Sequence, residues 1–144
     1  MTAQEWKHIY KIVGAAMEVY NELGRGLAEP LYQEALKHEF LMKDIAFLKE
    51  EALRTYYKGI MLEKVYVADF ICDDVVIELK AVDELTSEHR AQLFNYMRIT
   101  KYKKGILINF GERHLHCERY IYSSYYYNYE LLTKENYQNF IEDK

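Results

Sequence analysis

Cysteine, proline and glycine are scarce in this 144-residue sequence, at two, one and six copies. Two thiols, Cys72 and Cys117, make neither a disulfide framework nor a zinc motif. Reduced cysteines of a cytoplasmic protein are the expectation. No apolar run approaches the roughly 18 residues that a membrane-spanning helix needs, so no membrane partner is expected. The opening MTAQEWKHIYKIVG lacks a basic stretch followed by unbroken apolar residues, which argues against a secretory signal. Positive charge is not in excess: 19 Lys and Arg stand against 23 Asp and Glu, a net of −4. A surface that coats nucleic acid broadly is thereby excluded, and any polynucleotide contact must come from a local patch. No repeat, linker or polar tract interrupts the chain.

What is present is apolar and aromatic. Half the residues are hydrophobic and 15 are tyrosine. That composition excludes disorder and suits one domain over residues 1–144. Tyrosine combines an apolar body with a polar tip, which fits strand faces and interfaces.

Apolar residues recur at helical spacing over residues 5–23 (Trp6, Ile9, Tyr10, Val13, Met17, Tyr20). Gly24-Arg25-Gly26 breaks that helix. A second helix should start near Glu29, with Pro30 in its first turn, where a missing N–H costs nothing. From about Ile45 the pattern turns to period two. Strands are expected over 52–58, 61–72 and 75–81, with Lys58-Gly59 and Asp73-Asp74 as turns. Thr86 or Ser87 can cap a helix that runs to about Thr100. Strands over 103–110 and 115–122, a tyrosine-dense connection over 125–129 and a short helix over 134–142 complete the chain. The order α-α-β-β-β-α-β-β-α predicts an α/β (α+β) domain with a mixed central sheet flanked by helices.

A two-residue loop at Asp73-Asp74 pairs Cys72 with Val75. The same register sets Asp69 opposite Glu78, with Cβ atoms roughly 4.5–5.5 Å apart. Lys80 projects from the same face. Like charges side by side among Val67, Phe70, Ile71, Val76, Ile77 and Leu79 are costly. A solvated Asp–Glu–Lys face is the plain reading, and the apolar flanks weaken it. Lys80 offsets one negative charge. Hard oxygen ligands suit Mg²⁺ or Mn²⁺ for the rest.

Asp69 followed by Glu78-Leu79-Lys80 resembles the D…(D/E)-x-K signature of the PD-(D/E)xK nuclease superfamily, whose core has an α-β-β-β-α-β order. Gly26-Leu27-Ala28-Glu29-Pro30-Leu31-Tyr32 resembles the motif that names the bacterial GxxExxY proteins, a branch of it. VVIELKAVDEL, Gln92 and Tyr96 in AQLFNYMR, and LINFG resemble that branch's further blocks, over about residues 13–120. The resemblance implies a restriction-endonuclease-like core and a Mg²⁺- or Mn²⁺-dependent nuclease acting on DNA or RNA. Asp69 and Glu78 would hold the metal. Lys80 would orient or deprotonate the attacking water. Glu29 would be a further acidic group. Gln92 and Tyr96 would line the site. The first motif position, often proline, is Ala68. The alternative is a catalytically silent module of the same fold that binds nucleic acid or a protein.

Other signals are weaker. Arg98, Lys101, Lys103 and Lys104 could touch phosphates, and a solvated helix end explains them equally well. Gly24-Arg25-Gly26 could cradle an anion; an inter-helix turn is the simpler reading. His114 and His116 would share a strand face without an evident third ligand, and read as surface histidines. His89 could line the cleft one turn before Gln92, though a helix-surface position is the plainer expectation. The tyrosines 125–127 could stack bases, pack against the body or form a homodimer face. Cys72 reads as a small hydrophobe.

Overall fold

Thr2 starts helix α1 (Ala3–Leu23) by exchanging two hydrogen bonds with Glu5. The Glu5 N–H donates to Thr2 Oγ1 at 3.0 Å, and the Thr2 N–H donates to the Glu5 carboxylate at 2.6 Å. Two helix-start donors are satisfied in this way. Trp6, Ile9, Ile12, Ala15, Ala16 and Val19 form the buried face. Gly24, at φ +67, ends the helix in a conformation that favours glycine. Helix α2 (Glu29–Met42) follows, with Pro30 in its first turn, and buries Tyr32, Leu36 and Phe40. These residues belong to a computed structural model that describes 1–125 and 127–142.

Six strands form one sheet: β1 (Leu48–Leu53), β4 (Tyr66–Cys72), β5 (Val75–Lys80), β6 (Lys104–Asn109), β7 (His116–Ser123) and β8 (Asn128–Leu132), side by side in that order. Between β1 and β4 the chain makes a separate small hairpin, β2 (Tyr56–Tyr57) with β3 (Ile60–Met61). Only β5 and β6 are parallel neighbours in the sheet. A parallel pair needs a crossover, and helix α3 (Ser87–Thr100) supplies it.

Alternate residues of β5 and β6 face opposite cores. Ile77, Leu79, Ile106 and Ile108 pack with α1 and α2. Val76 and Leu107 pack with Leu93, Tyr96 and Met97 of α3. The two central strands are therefore covered on both faces, as parallel strands usually are. Gly105 lets α3 approach closely: a Cβ there would stand 2.6 Å from Met97 Sδ. No helix of the described residues is long and apolar enough to cross a membrane.

The expected strands over 52–58 and 61–72 do not form as two pieces. Lys58 and Gly59 take φ +50 and +80, a tight turn that splits off β2–β3. The expected helix over 134–142 is a single 3-10 turn, Tyr137–Phe140. The Asn136 side chain accepts from the Thr133 N–H and donates to Leu131 O. Such local bonds compete with a helix. Residues 125–129 are not merely a connection: β8 begins at Asn128, and Tyr129 pairs with Tyr122.

Candidate active site

The β4–β5 hairpin turns at Asp73-Asp74, with Asp73 at φ +54. Cys72 pairs with Val75, Ile71 with Val76 and Phe70 with Ile77. That register sets Asp69 opposite Glu78, and there the main-chain pairing stops. On the other edge of β4 the register passes from Lys49↔Phe70 to Glu51↔Ala68, stepping over Glu50 and Asp69. Glu50 has φ +54. The sheet is thus opened on both sides of Asp69.

Side chains take the place of the ladder. The Asp69 N–H donates to Glu78 Oε1 at 2.8 Å, and the Leu79 N–H donates to Asp69 Oδ2 at 2.8 Å. Each carboxylate is held by the opposite strand's main chain. Gln33 Nε2, from α2, donates to Asp69 Oδ1 at 3.1 Å.

The charge balance at this point is unfavourable. Glu78 is only 4% exposed. Burial first, then the Asp69 charge, pushes its carboxyl up to about 8. Burial also raises Asp69, against the opposing effects of the Leu79 N–H and Lys80. Glu29, half-buried in the first turn of α2, is raised by burial and by Asp69. The Lys80 ammonium acts on all three carboxyls in the opposite sense. Tyr96 lies across from them on α3. Burial and then Glu78 push its phenol up to about 12, while a hydrogen bond with Gln92 works against this.

Three carboxyl groups therefore face one lysine, and the buried pair must hold a proton or meet a cation. Among the described residues no three His, Cys, Asp or Glu side chains form a ready cage for a metal. Two carboxylates do fit a small divalent ion that keeps several waters, as Mg²⁺ commonly does.

The approach of Glu29 depends on the loop before it. Gly26 has φ +104. The fully buried Tyr32 donates its hydroxyl to Gly24 O at 2.5 Å and accepts from the Leu27 N–H at 3.2 Å. Its ring stacks on Phe110 at 4.5 Å. Tyr32 thus ties the loop to the core next to Glu29.

Glu29, Asp69, Glu78, Lys80, Gln92 and Tyr96 come together. The basic stretch does not join them. Lys104 pairs with Val75, at the start of β5. Lys80 lies five residues on, about 16 Å along the strand. The Lys104 ammonium is buried, 2.9 Å from Glu5 and 2.8 Å from Asp74. Lys101 ends α3 at φ +62, and Arg98 is exposed in that helix's last turn. Lys103 is exposed beside them.

His89 caps α3, accepting from the Thr86 N–H at 3.1 Å. His114 precedes β7, so the two imidazoles do not share a strand. His116 lies 2.8 Å from Glu112 and 3.0 Å from Glu118. Glu118 also takes a two-point contact from Arg90, at 2.7 and 2.9 Å. Cys72 is buried, and burial pushes its thiol up to about 12. Tyr125 and Tyr127 are exposed, Tyr129 stacks on Phe94 at 4.2 Å, and Tyr126 lies outside the described residues. Sequence reasoning missed Gln33, whose signal is its place one turn after Glu29 on the same helix face. It also missed Glu50, for which the sequence holds no signal.

The sequence model of the PD-(D/E)XK nuclease superfamily matches residues 6–120, a span that contains every residue of this cluster. The mixed sheet with helices on both faces fits that superfamily's restriction-endonuclease-like fold. No curated protein and no solved structure matches the chain.

Proposed function

Since this chain belongs to the PD-(D/E)XK nuclease superfamily, we propose that it hydrolyses phosphodiester bonds in DNA or RNA with the help of a divalent metal. The observation that carries this reading is the reciprocal main-chain bonding that fixes the buried Glu78 and the half-buried Asp69 carboxylates beside Lys80. Asp69 and Glu78 would hold Mg²⁺ or Mn²⁺. Such an ion, when bound, neutralises phosphoryl charge and eases water ionisation near neutral pH.

The chain's own residues do the rest. Lys80 stands beside the carboxylates and steadies the negative charge that builds on the phosphoryl oxygens. Gln33 and the Leu79 N–H fix the orientation of Asp69. Glu29, held above the usual carboxylate range, is suited to exchange a proton at the edge of the site. The Tyr96 phenol stays protonated at neutral pH and offers a donor to a phosphate oxygen. The GxxExxY branch is part of the proposal. It is supported by the Gly26 turn, the Tyr32 clamp and the Glu29 approach.

Calorimetric titration of Mn²⁺ into wild type and Asp69→Asn tests the metal. Binding by wild type that is lost in the variant is expected. Cleavage of labelled single-stranded, nicked and duplex oligonucleotides tests the chemistry, with Lys80→Ala as the control. If Lys80→Ala cuts as fast as wild type, the mechanism is wrong. Metal binding without cleavage of any substrate favours a silent module.

A further inference from the structure

The β2–β3 hairpin is an excursion that the acid site does not use. Lys58 and Gly59 form its turn, Tyr56 pairs with Met61 and Tyr57 with Ile60. The Leu62 N–H donates to Thr55 O at 2.8 Å. Two strands of two residues have little stability of their own. Yet Tyr56, Tyr57, Ile60 and Met61 are 63, 59, 64 and 53% exposed, and none joins either core cluster. Large apolar side chains gathered in water on one small projection indicate a contact surface.

The charges around this projection identify what it contacts. Residues 54–66 carry Arg54, Lys58 and Lys64 against the single carboxylate of Glu63, in a chain that is net negative. Lys58 Nζ stands 5.5 Å from the Tyr57 ring centre, and Lys64 Nζ stands 5.3 Å from that of Tyr66. Cations interleaved with aromatic faces suit a polyanion whose bases are open to stacking. Bases inside a duplex already stack on one another and cannot lie flat on these rings. The hairpin also leads into the acid site. Tyr66 opens β4, three residues and about 10 Å before Asp69. Its ring lies 5.8 Å from that of Tyr96, and the Tyr96 phenol feels the Glu78 charge.

We infer that the β2–β3 hairpin is a docking flap for an unpaired polynucleotide strand. The flap stacks bases on Tyr56 and Tyr57 and leads the backbone past Tyr66 to Asp69 and Glu78. The inference rests on the phosphodiesterase reading and names its substrate class, a strand with unpaired bases.

Fluorescence anisotropy with the full chain in chelator tests it without cleavage. The probes are a labelled oligothymidylate of about 16 nucleotides, within the site sizes of single-strand binders, the matching oligouridylate, and a blunt duplex. Wild type should prefer the single strands, and the two probes read DNA against RNA. Tyr56→Ala/Tyr57→Ala should weaken single-strand binding by about tenfold or more and leave duplex binding unchanged. Tyr56→Phe/Tyr57→Phe should bind as wild type, because stacking needs the ring and not the hydroxyl. Lys58→Ala should lower the salt slope by about 0.7. Equal wild-type binding of single strand and duplex overturns the inference, and so does a double-alanine variant that binds as wild type. Self-association lost in that variant, read by sedimentation, also overturns it and assigns the patch to a second copy. Single-strand cleavage that is equal in wild type and variant removes the flap and leaves the hydrolytic reading standing. Flap-dependent strand binding with no cleavage by wild type does the reverse.

Discussion

Raising the pH should weaken the metal-free fold, because Glu78 is buried beside Asp69. Its folded-state carboxyl titrates at about 8, against an ordinary value of 4.5. The folded chain therefore holds this proton more tightly than the unfolded chain does. The stability it contributes is full below 4.5 and is lost as the pH rises through about 8. Within that window one group supplies a slope of up to about 1.4 kcal/mol per pH unit. For a chain of this length that is about 4–5 °C per unit, from roughly 2.1 cal/mol/K per residue. Asp69 and Glu29 are raised as well and act in the same sense. Glu5 and Glu118 are lowered, so their contributions change only below the ordinary carboxylate range and leave the window clear. Melting curves in chelator, followed by circular dichroism for wild type and Glu78→Gln, measure the slope. Glutamine keeps an oxygen for the Asp69 N–H and removes the charge, so the variant should be flatter and should melt higher at pH 8. Mg²⁺ at about 100 times its Kd should return roughly 2.7 kcal/mol to wild type at pH 8, and little to the variant. A wild-type melting temperature that is flat or rising across the window would refute the reasoning. So would an equal slope in the variant.

Three further perturbations follow from the same geometry. Gln33→Ala removes one donor to Asp69 and should cost only about 1 kcal/mol of stability. It should lower Mn²⁺ affinity by about 10- to 100-fold, and an unchanged calorimetric Kd would count against Gln33 as the group that orients Asp69. Tyr32→Phe removes the hydroxyl that bonds Gly24 and Leu27. A loss of about 1 kcal/mol and a fall in cleavage rate through displaced Glu29 are expected, and an unchanged rate would separate the loop from the chemistry. Lys104→Met should cost about 1–2 kcal/mol, because its partners Glu5 and Asp74 are 36 and 46% exposed in their side chains and can rehydrate. Its strand affinity and salt slope should equal wild type, and a reduced slope would place Lys104 against phosphate after all.

The acid pair was legible because two local rules meet there. A two-residue loop fixes register, and period-two alternation fixes the face, so Asp69 and Glu78 follow from counting. Glu29 could not be found in that way, because no local rule says where a helix N-terminus docks on a sheet; it came from resemblance alone. The basic stretch lies apart from the acid pair for a topological reason. Lys103 and Lys104 follow the crossover helix and enter a strand parallel to β5. They therefore lie at the start of β5, whereas the carboxylate and lysine lie toward its end. The tail was misjudged for an energetic one. Thr133 and Asn136 satisfy their own backbone, and Tyr137 stacks on Trp6 at 4.3 Å, so packing rather than helix propensity sets the local form.

The opened ladder at Asp69 decides which substitutions can be read as chemistry. In an unbroken sheet the Asp69 and Leu79 N–H groups would bond main-chain carbonyls, and truncating either side chain would touch only the surface. Here those two N–H groups bond Glu78 and Asp69. Alanine at either position leaves a part-buried donor without its acceptor, a cost of about 1–3 kcal/mol that has nothing to do with catalysis. Asn or Gln keeps the acceptor oxygen and removes only the charge. Loss of activity in Asp69→Ala therefore mixes a loosened β4–β5 junction with lost charge, while loss in Asp69→Asn isolates the charge. Lys80 bonds no ladder group in this way, so Lys80→Ala is the cleaner test of the proposed chemistry. Its stability should stay near that of wild type even where its activity is gone.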